Sequence, residues 1–246
     1  MNILPKILII DDEPSAISVL YHALNGMGDV RYATNGAEGL ALMEENPAVL
    51  VLLDANMPGM DGFATCQALK KNFPDTAVIF VTAANDPASE LRALASGAED
   101  FISKPINSLI VRARVNIHLQ NREYAARLRR SEIRYRTLFE ESPLGYSLNY
   151  LDEGNFLQVN NALAALLGYS KNELLELTDI NLTPPDFHYE ENYQQQTLRE
   201  MGRCGPYKKE YLHREKTKIL VQITRVLIVE EDYTPLVLSV IENLVT

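Results

Sequence analysis

Nearly continuous apolar runs alternate with amphipathic stretches through the first half of the chain. The runs at 6–10, 49–54 and 77–82 are typical of parallel strands that are covered on both faces. Shorter strand candidates lie at 30–34 and 100–104, and helices are predicted near 14–25, 36–46, 62–72, 87–96 and from 106 onward. Five such strand–helix units predict an α/β fold with a doubly wound, five-stranded parallel sheet.

Cap and turn residues support these helix boundaries. Asn35 and Asp86 are suited to N-caps, and proline is favoured in the first turn of a helix. Glycine commonly follows the last helical residue, because it tolerates a left-handed backbone. The remaining boundary signals are Pro14, Pro87, Gly26 and Gly97.

Polar groups follow the ends of four predicted strands. Asp11 and Asp12 follow the first strand, Asp54 ends the third, and Thr82 and Lys104 end the fourth and fifth. Because the carboxyl ends of parallel strands share one edge of a sheet, we expect these side chains to meet there. The three carboxylates repel one another, and a hard divalent cation with oxygen ligands relieves that repulsion. The pattern therefore predicts a phosphoryl-transfer site in which Asp54 carries the phosphoryl group.

The motifs "IIDDEP", "LLDANMPGMDG", "VTA" and "GAEDFISKP" make residues 1–120 resemble the receiver domain of bacterial two-component response regulators. The resemblance implies a flavodoxin-like fold with Asp54 as phosphoacceptor. It also implies a Mg²⁺ site formed by Asp11, Asp12, Asp54 and the backbone carbonyl of Asn56. The phosphodonor implied is a sensor histidine kinase.

The same resemblance assigns a switch to the domain. Thr82 and Lys104 are implied to contact the phosphoryl group, and Phe101 to be the switch aromatic. The family more often has tyrosine at the position of Phe101, so the switch hydroxyl is missing here. An ordinary core role for Phe101 remains the alternative. We expect Thr82 to move toward the phosphoryl group and Phe101 to fill the vacated space, which repacks the face formed by the fourth helix, fifth strand and fifth helix.

A long connecting helix is predicted over 106–140, about 50 Å in length at the usual rise per residue. Its apolar stripe favours a parallel two-stranded coiled coil across a homodimer. A solvated single helix whose stripe docks on the neighbouring domain is the alternative. Glu and Tyr interrupt its basic residues, which argues against nucleic-acid binding. The stripe contains Ile110, Ala113, Ile117, Gln120, Tyr124, Leu128, Tyr135 and Leu138.

After Pro143 the pattern changes to an α+β domain, 141–246, with an antiparallel sheet. A hairpin is predicted from 145–151 and 155–160. Ser170 and Glu173 match a capping box. The other predicted elements are a helix at 161–168, a helix at 187–201, and strands at about 206–214, 218–230 and 235–245.

Residues from about 131 to 246 resemble a PAS sensory domain through "YRTLFEESPLG", "FLQVNNALAALLGYSKNELL", "YLHREKTKILVQITRVLI" and "VLSVIENL". The resemblance allows a small-molecule cavity but names no ligand. The cysteine-containing flavin motif of light-sensing relatives is missing, and Cys204 lies too far along the chain to replace it. His188 and His213 are expected in surface or capping roles rather than as haem ligands.

Composition and charge restrict the class of protein. A net charge of −10 argues against a general nucleic-acid or anionic-membrane surface. Cys66 and Cys204 match no metal spacing and predict one buried thiol and one loop thiol in a reducing cytosol. The apolar run before Asp11 is too short for a signal sequence or a membrane span. We expect a soluble cytoplasmic protein.

These observations predict a response regulator, not itself an enzyme, that relays phosphorylation of Asp54 through the helix to the second domain. One alternative is an aspartyl-phosphate phosphatase acting on small substrates, although Asn56 replaces the second aspartate that such enzymes use as general acid. Another is a PAS ligand sensor with a vestigial receiver. Relatives with this arrangement often continue into an output module such as a diguanylate cyclase, so we expect the chain to be a truncated piece.

Overall fold

The computed structural model describes residues 4–83, 92, 95–229 and 234–244. It divides into two compact units, Met1–Leu128 and Arg129–Thr246. Among the helices of the described ranges, none has the length and apolar character that crossing a bilayer requires.

The first unit contains a five-stranded sheet whose pairings are all parallel, in the order β2-β1-β3-β4-β5. Its inner strands are nearly continuous apolar runs because helices cover both faces. The predicted doubly wound sheet is therefore confirmed. The strands are β1 Lys6–Ile10, β2 Asp29–Ala33, β3 Leu50–Asp54, β4 Ala77–Ala83 and β5 Asp100–Lys104.

Two separate apolar clusters pack on the two faces of this sheet. Helix α2 begins after the predicted cap, since the Asn35 side chain accepts a hydrogen bond from the Glu38 N–H. The helix predicted at 87–96, with Asp86 and Pro87 at its start, lies largely outside the described residues. The helices on this sheet are α1 Pro14–Ala23, α2 Gly36–Glu45, α3 Gly62–Asn72 and the first part of α4 Ser108–Glu140.

Helix α4 contains 33 residues. It begins two residues later than predicted, because the Asn107 side chain accepts hydrogen bonds from the Leu109 and Ile110 N–H groups. Val111 and Val115 are buried in the first unit, whereas Tyr124 and Leu128 are 67% and 71% exposed.

The second unit is built on an antiparallel sheet of five strands in the order β7-β6-β10-β9-β8. The predicted hairpin and the capping box of Ser170 and Glu173 are both present. The strands are β6 Gly145–Tyr150, β7 Phe156–Val159, β8 Arg203–Leu212, β9 Lys218–Val229 and β10 Pro235–Asn243, and the helices are α5 Asn161–Leu167, α6 Lys171–Leu175 and α7 His188–Met201.

Both cysteines are free and buried. The predicted loop position of Cys204 was wrong, because this residue lies within β8 and packs with Leu151, Leu198 and Val237. Alternation along the strand points its side chain toward the core.

Candidate functional site

Two central strands of the first sheet deliver the acidic residues to one place. Strands β1 and β3 are neighbours, with Ile10 beside Leu53, so the residues that follow them emerge side by side. Carboxylate oxygens of Asp11, Asp12 and Asp54 lie within 4.8 Å of one another. The structure thus brings together the three carboxylates that the sequence analysis selected.

Lys104 reaches the same carboxylates from the end of β5. Its Nζ lies 2.9 Å from Asp54 Oδ1 and 3.3 Å from Asp11 Oδ2. Strand β4 lies between β3 and β5, and Ala83 is the register partner of Lys104. The long flexible stem of lysine spans this intervening strand and places a point charge against the acids.

Burial makes the Asp54 carboxylate costly to ionise. Asp11 is 1% exposed and Asp54 is 4% exposed. Burial raises the pKa of the Asp54 carboxyl and the charge on Asp11 adds to this, while the Lys104 ammonium opposes it. For Lys104, burial favours the neutral amine, but Asp54 and Asp11 outweigh burial and raise the pKa of the ammonium. A positive charge is therefore held permanently at the site, beside carboxylates that would benefit from a further cation.

One oxygen at the site is left open for such a cation. Asp11 Oδ2 is buried, and apart from its ion-pair contact with Lys104 Nζ at 3.3 Å it accepts no hydrogen bond from any residue that the structure describes, while Oδ1 accepts from the Glu13 N–H. Buried oxygens are rarely left without a partner unless an ion or water serves them. Three carboxylates close together are also the hard oxygen ligands that Mg²⁺ prefers. The residues present fit this metal.

The loop after β3 holds Asp54 in place. The Asn56 N–H donates to Asp54 Oδ2 at 3.2 Å, and the Asp61 side chain caps α3 by accepting from Ala64 N–H. A Cβ on Gly62 would lie 2.1 Å from the Asp54 carbonyl oxygen, so only glycine lets the start of α3 approach this strand end. The Asn56 carbonyl as a metal ligand stays a prediction.

The two predicted switch residues, Thr82 and Phe101, lie on the neighbouring strands β4 and β5. Thr82 is buried near the end of β4, one residue beyond Val81, the register partner of Asp54. Phe101 is partly buried against the cluster that contains Phe80, its register partner. The Arg114 guanidinium of α4 lies 5.8 Å from the centre of the Phe101 ring. Phe101 thus lies between the core of the sheet and the long helix.

The second unit contains a buried group of charges that the sequence analysis missed, the ion ring of Asp179, Glu191, Lys209 and Arg225. Lys209 lies 2.8 Å from Asp179 and 2.7 Å from Glu191, and Arg225 lies 2.7 and 2.8 Å from the same two acids. Strand alternation could have revealed Lys209, because it shares a strand face with Tyr207 and Tyr211. The two acids come from distant segments, and no local pattern joins them to the strands.

The histidines of the second unit make local contacts. His188 Nε2 lies 3.1 Å from the Thr183 carbonyl oxygen, and His213 Nδ1 accepts from the Glu215 N–H at 3.1 Å.

Comparisons with known proteins agree with the two units. The response regulator receiver domain model matches residues 7–116, and the PAS domain model matches residues 133–201. The chain is similar to transcriptional regulatory protein YvrH of Bacillus subtilis, 33% identical over 47% of this chain and 49% of that protein. It is 34% identical to the alkaline phosphatase synthesis transcriptional regulatory protein PhoP of Bacillus subtilis, over 49% of this chain and 51% of that protein.

A solved structure gives a third comparison. The crystal structure of NtrX from Brucella abortus matches 55% of this chain and 30% of its own chain, with 25% identity and a TM-score of 0.51. The chain spans about half the length of the curated relatives it matches.

Sensor histidine kinases phosphorylate receiver domains, and a receiver domain implies Mg²⁺ at an acidic cluster such as Asp11, Asp12 and Asp54. The family matches, the parallel sheet and the position of this cluster together show that the chain contains a receiver domain followed by a PAS domain.

Proposed function

We propose that Asp54 accepts a phosphoryl group from a sensor histidine kinase and that the receiver relays this change through α4 to the PAS domain. One observation carries the proposal: Asp54 Oδ1 is 2.9 Å from Lys104 Nζ within a cluster of three carboxylates. A carboxylate nucleophile needs nearby positive charge to compensate the transferred phosphoryl group.

Each neighbouring group has a proposed role. Lys104 binds a phosphoryl oxygen, and its raised pKa keeps it charged when it turns from Asp54 to that oxygen. Asp11 and Asp12, with Asp54 and the Asn56 carbonyl, would hold Mg²⁺, which supplies charge compensation at the transferred group. The Thr82 hydroxyl donates a hydrogen bond to the phosphoryl group after a rotation of its side chain.

The relay begins at Phe101. When Thr82 turns toward the phosphoryl group, Phe101 moves into the space it leaves, and its contact with Arg114 changes. Arg114 also pairs with Asp100, which His118 contacts at 3.2 Å, so α4 is joined to β5 by charged groups as well as apolar ones. A shift of Phe101 therefore reaches the first three turns of α4.

Phosphorylation is tested by labelling the full chain with a small phosphodonor and Mg²⁺, and measuring the gain of one phosphoryl mass. Asp54→Asn removes the nucleophile and should abolish labelling. Asp29→Asn, at the exposed start of β2, makes the same chemical change away from the site and should label like the parent protein. Labelling of the Asp54→Asn variant would refute the proposal. Steady turnover of a phosphate ester would favour a phosphatase instead.

We also propose that α4 forms a parallel coiled coil in a homodimer. Its stripe is unburied in the single chain: Ile117 is 54% exposed, Tyr124 67% and Leu128 71%. The residues of this stripe recur at steps of three and four, which is the spacing of the contact face in a two-stranded coiled coil. A dimer would bring two PAS domains together.

Light scattering on the full chain tests the dimer. Leu128→Glu places a charge in the proposed seam and should lower the mass from dimer to monomer. Ala126→Glu introduces the same charge on an exposed position outside the stripe and should leave the mass unchanged. A monomeric parent protein, or an unchanged mass for Leu128→Glu, would contradict the coiled coil.

A further inference from the structure

The PAS unit contains a cavity of about 260 Å³ between its sheet and the segments that cover it. Strands β9 and β10 form its floor, helix α7 one wall, and the β6–β7 turn its mouth. At a liquid volume of about 30 Å³ per water, this space would hold about nine waters, or a ligand of about ten non-hydrogen atoms.

The floor of the cavity contains polar groups beside Val237, although this face of the sheet is the interior of the unit. Ser239 on β10 and Arg225 on β9 line the cavity and are register partners, and Ser147 on β6 extends this row across the sheet outside the cavity. Ser147, Ser239 and Arg225 are 2%, 4% and 7% exposed. Burying polar groups at this position costs free energy unless each has a hydrogen-bond partner. Each of these three side chains is therefore expected to have a hydrogen-bond partner.

Ser239 has none. Ser147 donates to Asn149 at 2.8 Å, and Arg225 donates to two carboxylates. The Ser239 hydroxyl lines the cavity and forms no side-chain hydrogen bond with any residue the structure describes. A hydroxyl that is almost fully buried, lacks a protein partner and faces a cavity is open to hydrogen bonding by whatever fills that cavity, water or a ligand.

The ion ring on the wall of the cavity still has room for a donor. Lys209 uses all three of its N–H groups, on Asp179, Glu191 and the Thr183 hydroxyl. Asp179 accepts from Lys209, Arg225 and Tyr211, and Glu191 accepts from Lys209, Arg225 and Tyr207. Since a carboxylate offers about four acceptor positions, one remains on each acid.

The charge around the cavity is negative. The ion ring is balanced, with two acids and two bases. Asp152 and Glu153 are exposed at the mouth, where Asp152 pairs with Arg199 at 2.7 Å and Glu153 has no ion pair among the described residues. The surplus charge repels anions and attracts a cation.

We propose that this cavity binds a small organic cation that carries N–H donors, such as an alkyl amine or diamine. One ammonium group reaches Ser239 and the free acceptor position of Asp179 or Glu191, and Glu153 stabilises the charge at the mouth. This inference goes beyond phosphoryl transfer at Asp54 and does not depend on it.

The test is calorimetric titration of the full chain with three four-carbon probes at constant ionic strength: butane-1,4-diamine, butane-1,4-diol and succinate. The diamine should bind with one site per chain, at least about tenfold more tightly than the diol, and succinate should not bind. Failure of the diamine to saturate by about 10 mM, or equal binding of succinate, would overturn the proposal.

Variants distinguish binding of the diamine in the cavity from its nonspecific attraction to the surface of an acidic protein. Ser239→Ala removes an unpartnered hydroxyl, so folding should be unaffected and diamine affinity should fall about fivefold. Glu153→Gln should weaken binding, whereas Glu215→Gln, in an exposed turn outside the cavity, should not. Equal losses for the two glutamate variants, or no effect of Ser239→Ala, would place the diamine elsewhere and overturn the proposal.

Discussion

Removal of the Lys209 charge tests the ion ring of the PAS unit most directly. Lys209 is 0% exposed and contacts Asp179, Glu191 and Thr183. Lys209→Met keeps a side chain of similar length but leaves the buried Glu191 and the partly buried Asp179 with Arg225 as their only charged partner in the ring. The ring then carries one uncompensated negative charge in the interior.

The expected loss is large. Breaking a buried ion pair by removing one partner costs about 3–5 kcal/mol, because the remaining charge stays desolvated. Such a loss is a large part of the roughly 5–15 kcal/mol that stabilises an ordinary domain. Lys208→Met is the matched control, because Lys208 neighbours Lys209 but lies on the exposed face of β8. Its effect should stay within about 0.5 kcal/mol.

Hydrogen exchange of the full chain measures this loss. Two units need not unfold together, so exchange of individual segments is preferable to one melting curve. Amides of β8 and β9 should exchange at least about a hundredfold faster in Lys209→Met, which corresponds to about 3 kcal/mol, while amides of β1 serve as the internal reference. A second change, Glu191→Gln, restores neutrality to the ring and should recover part of the loss. Equal exchange in Lys209→Met and Lys208→Met would refute the reasoning.

Four further predictions concern other buried contacts and the metal site. Asn160→Asp should destabilise the PAS unit by about 2–4 kcal/mol by urea unfolding, since the Asn160 amide donates to two carbonyl oxygens that would then face a carboxylate, while exposed Asn161→Asp should not. Gly62→Ala should lower receiver stability by about 1–3 kcal/mol and slow phosphoryl labelling, because its Cβ would overlap the Asp54 carbonyl oxygen; unchanged rate and melting temperature would contradict this close approach. The folded-state pKa of Asp54 is raised, so the free energy of unfolding of the metal-free receiver should fall as the pH rises from the ordinary aspartate pKa through the raised pKa. Thermal unfolding should show a weaker dependence of stability on pH in Asp54→Asn. Mg²⁺ at ten times its dissociation constant should restore about 1.4 kcal/mol to the parent protein and less to Asp54→Asn, and equal gains would place the ion elsewhere.

The receiver half was predictable because its signals are local and repeated. Apolar runs located β1, β3 and β4, and turn chemistry located the cap at Asn35. The parallel order of the strands then fixed where their carboxyl ends meet, so Asp11, Asp54 and Lys104 could be grouped without coordinates. Sequence spacing could not give the 2.9 Å contact between Lys104 and Asp54 or show that Asp11 Oδ2 accepts no hydrogen bond from the described residues, since both depend on side-chain conformation.

The PAS half was predictable only as an arrangement of elements. Its strands and helices followed from alternation and from capping signals, but its chemistry did not. Asp179 and Glu191 lie 30 and 18 residues before Lys209 and have no motif in common with it. Their ionisation is favourable only because folding brings these two acids together with the two bases, Lys209 and Arg225. Burial opposes the charge on Asp179, but Lys209 and Arg225 outweigh burial and hold the pKa of that carboxyl well below its usual range.

The sequence by itself determined the order of strands and helices and the edge at which the acidic cluster lies, because hydrophobic periodicity and parallel topology act over short, ordered segments. Only the tertiary structure decided which buried groups are paired and which are open. Pairing depends on distances between segments far apart in the chain. An increase of about one or two ångströms in the distance between two charged groups would turn a balanced ion pair into a desolvated, unpaired charge.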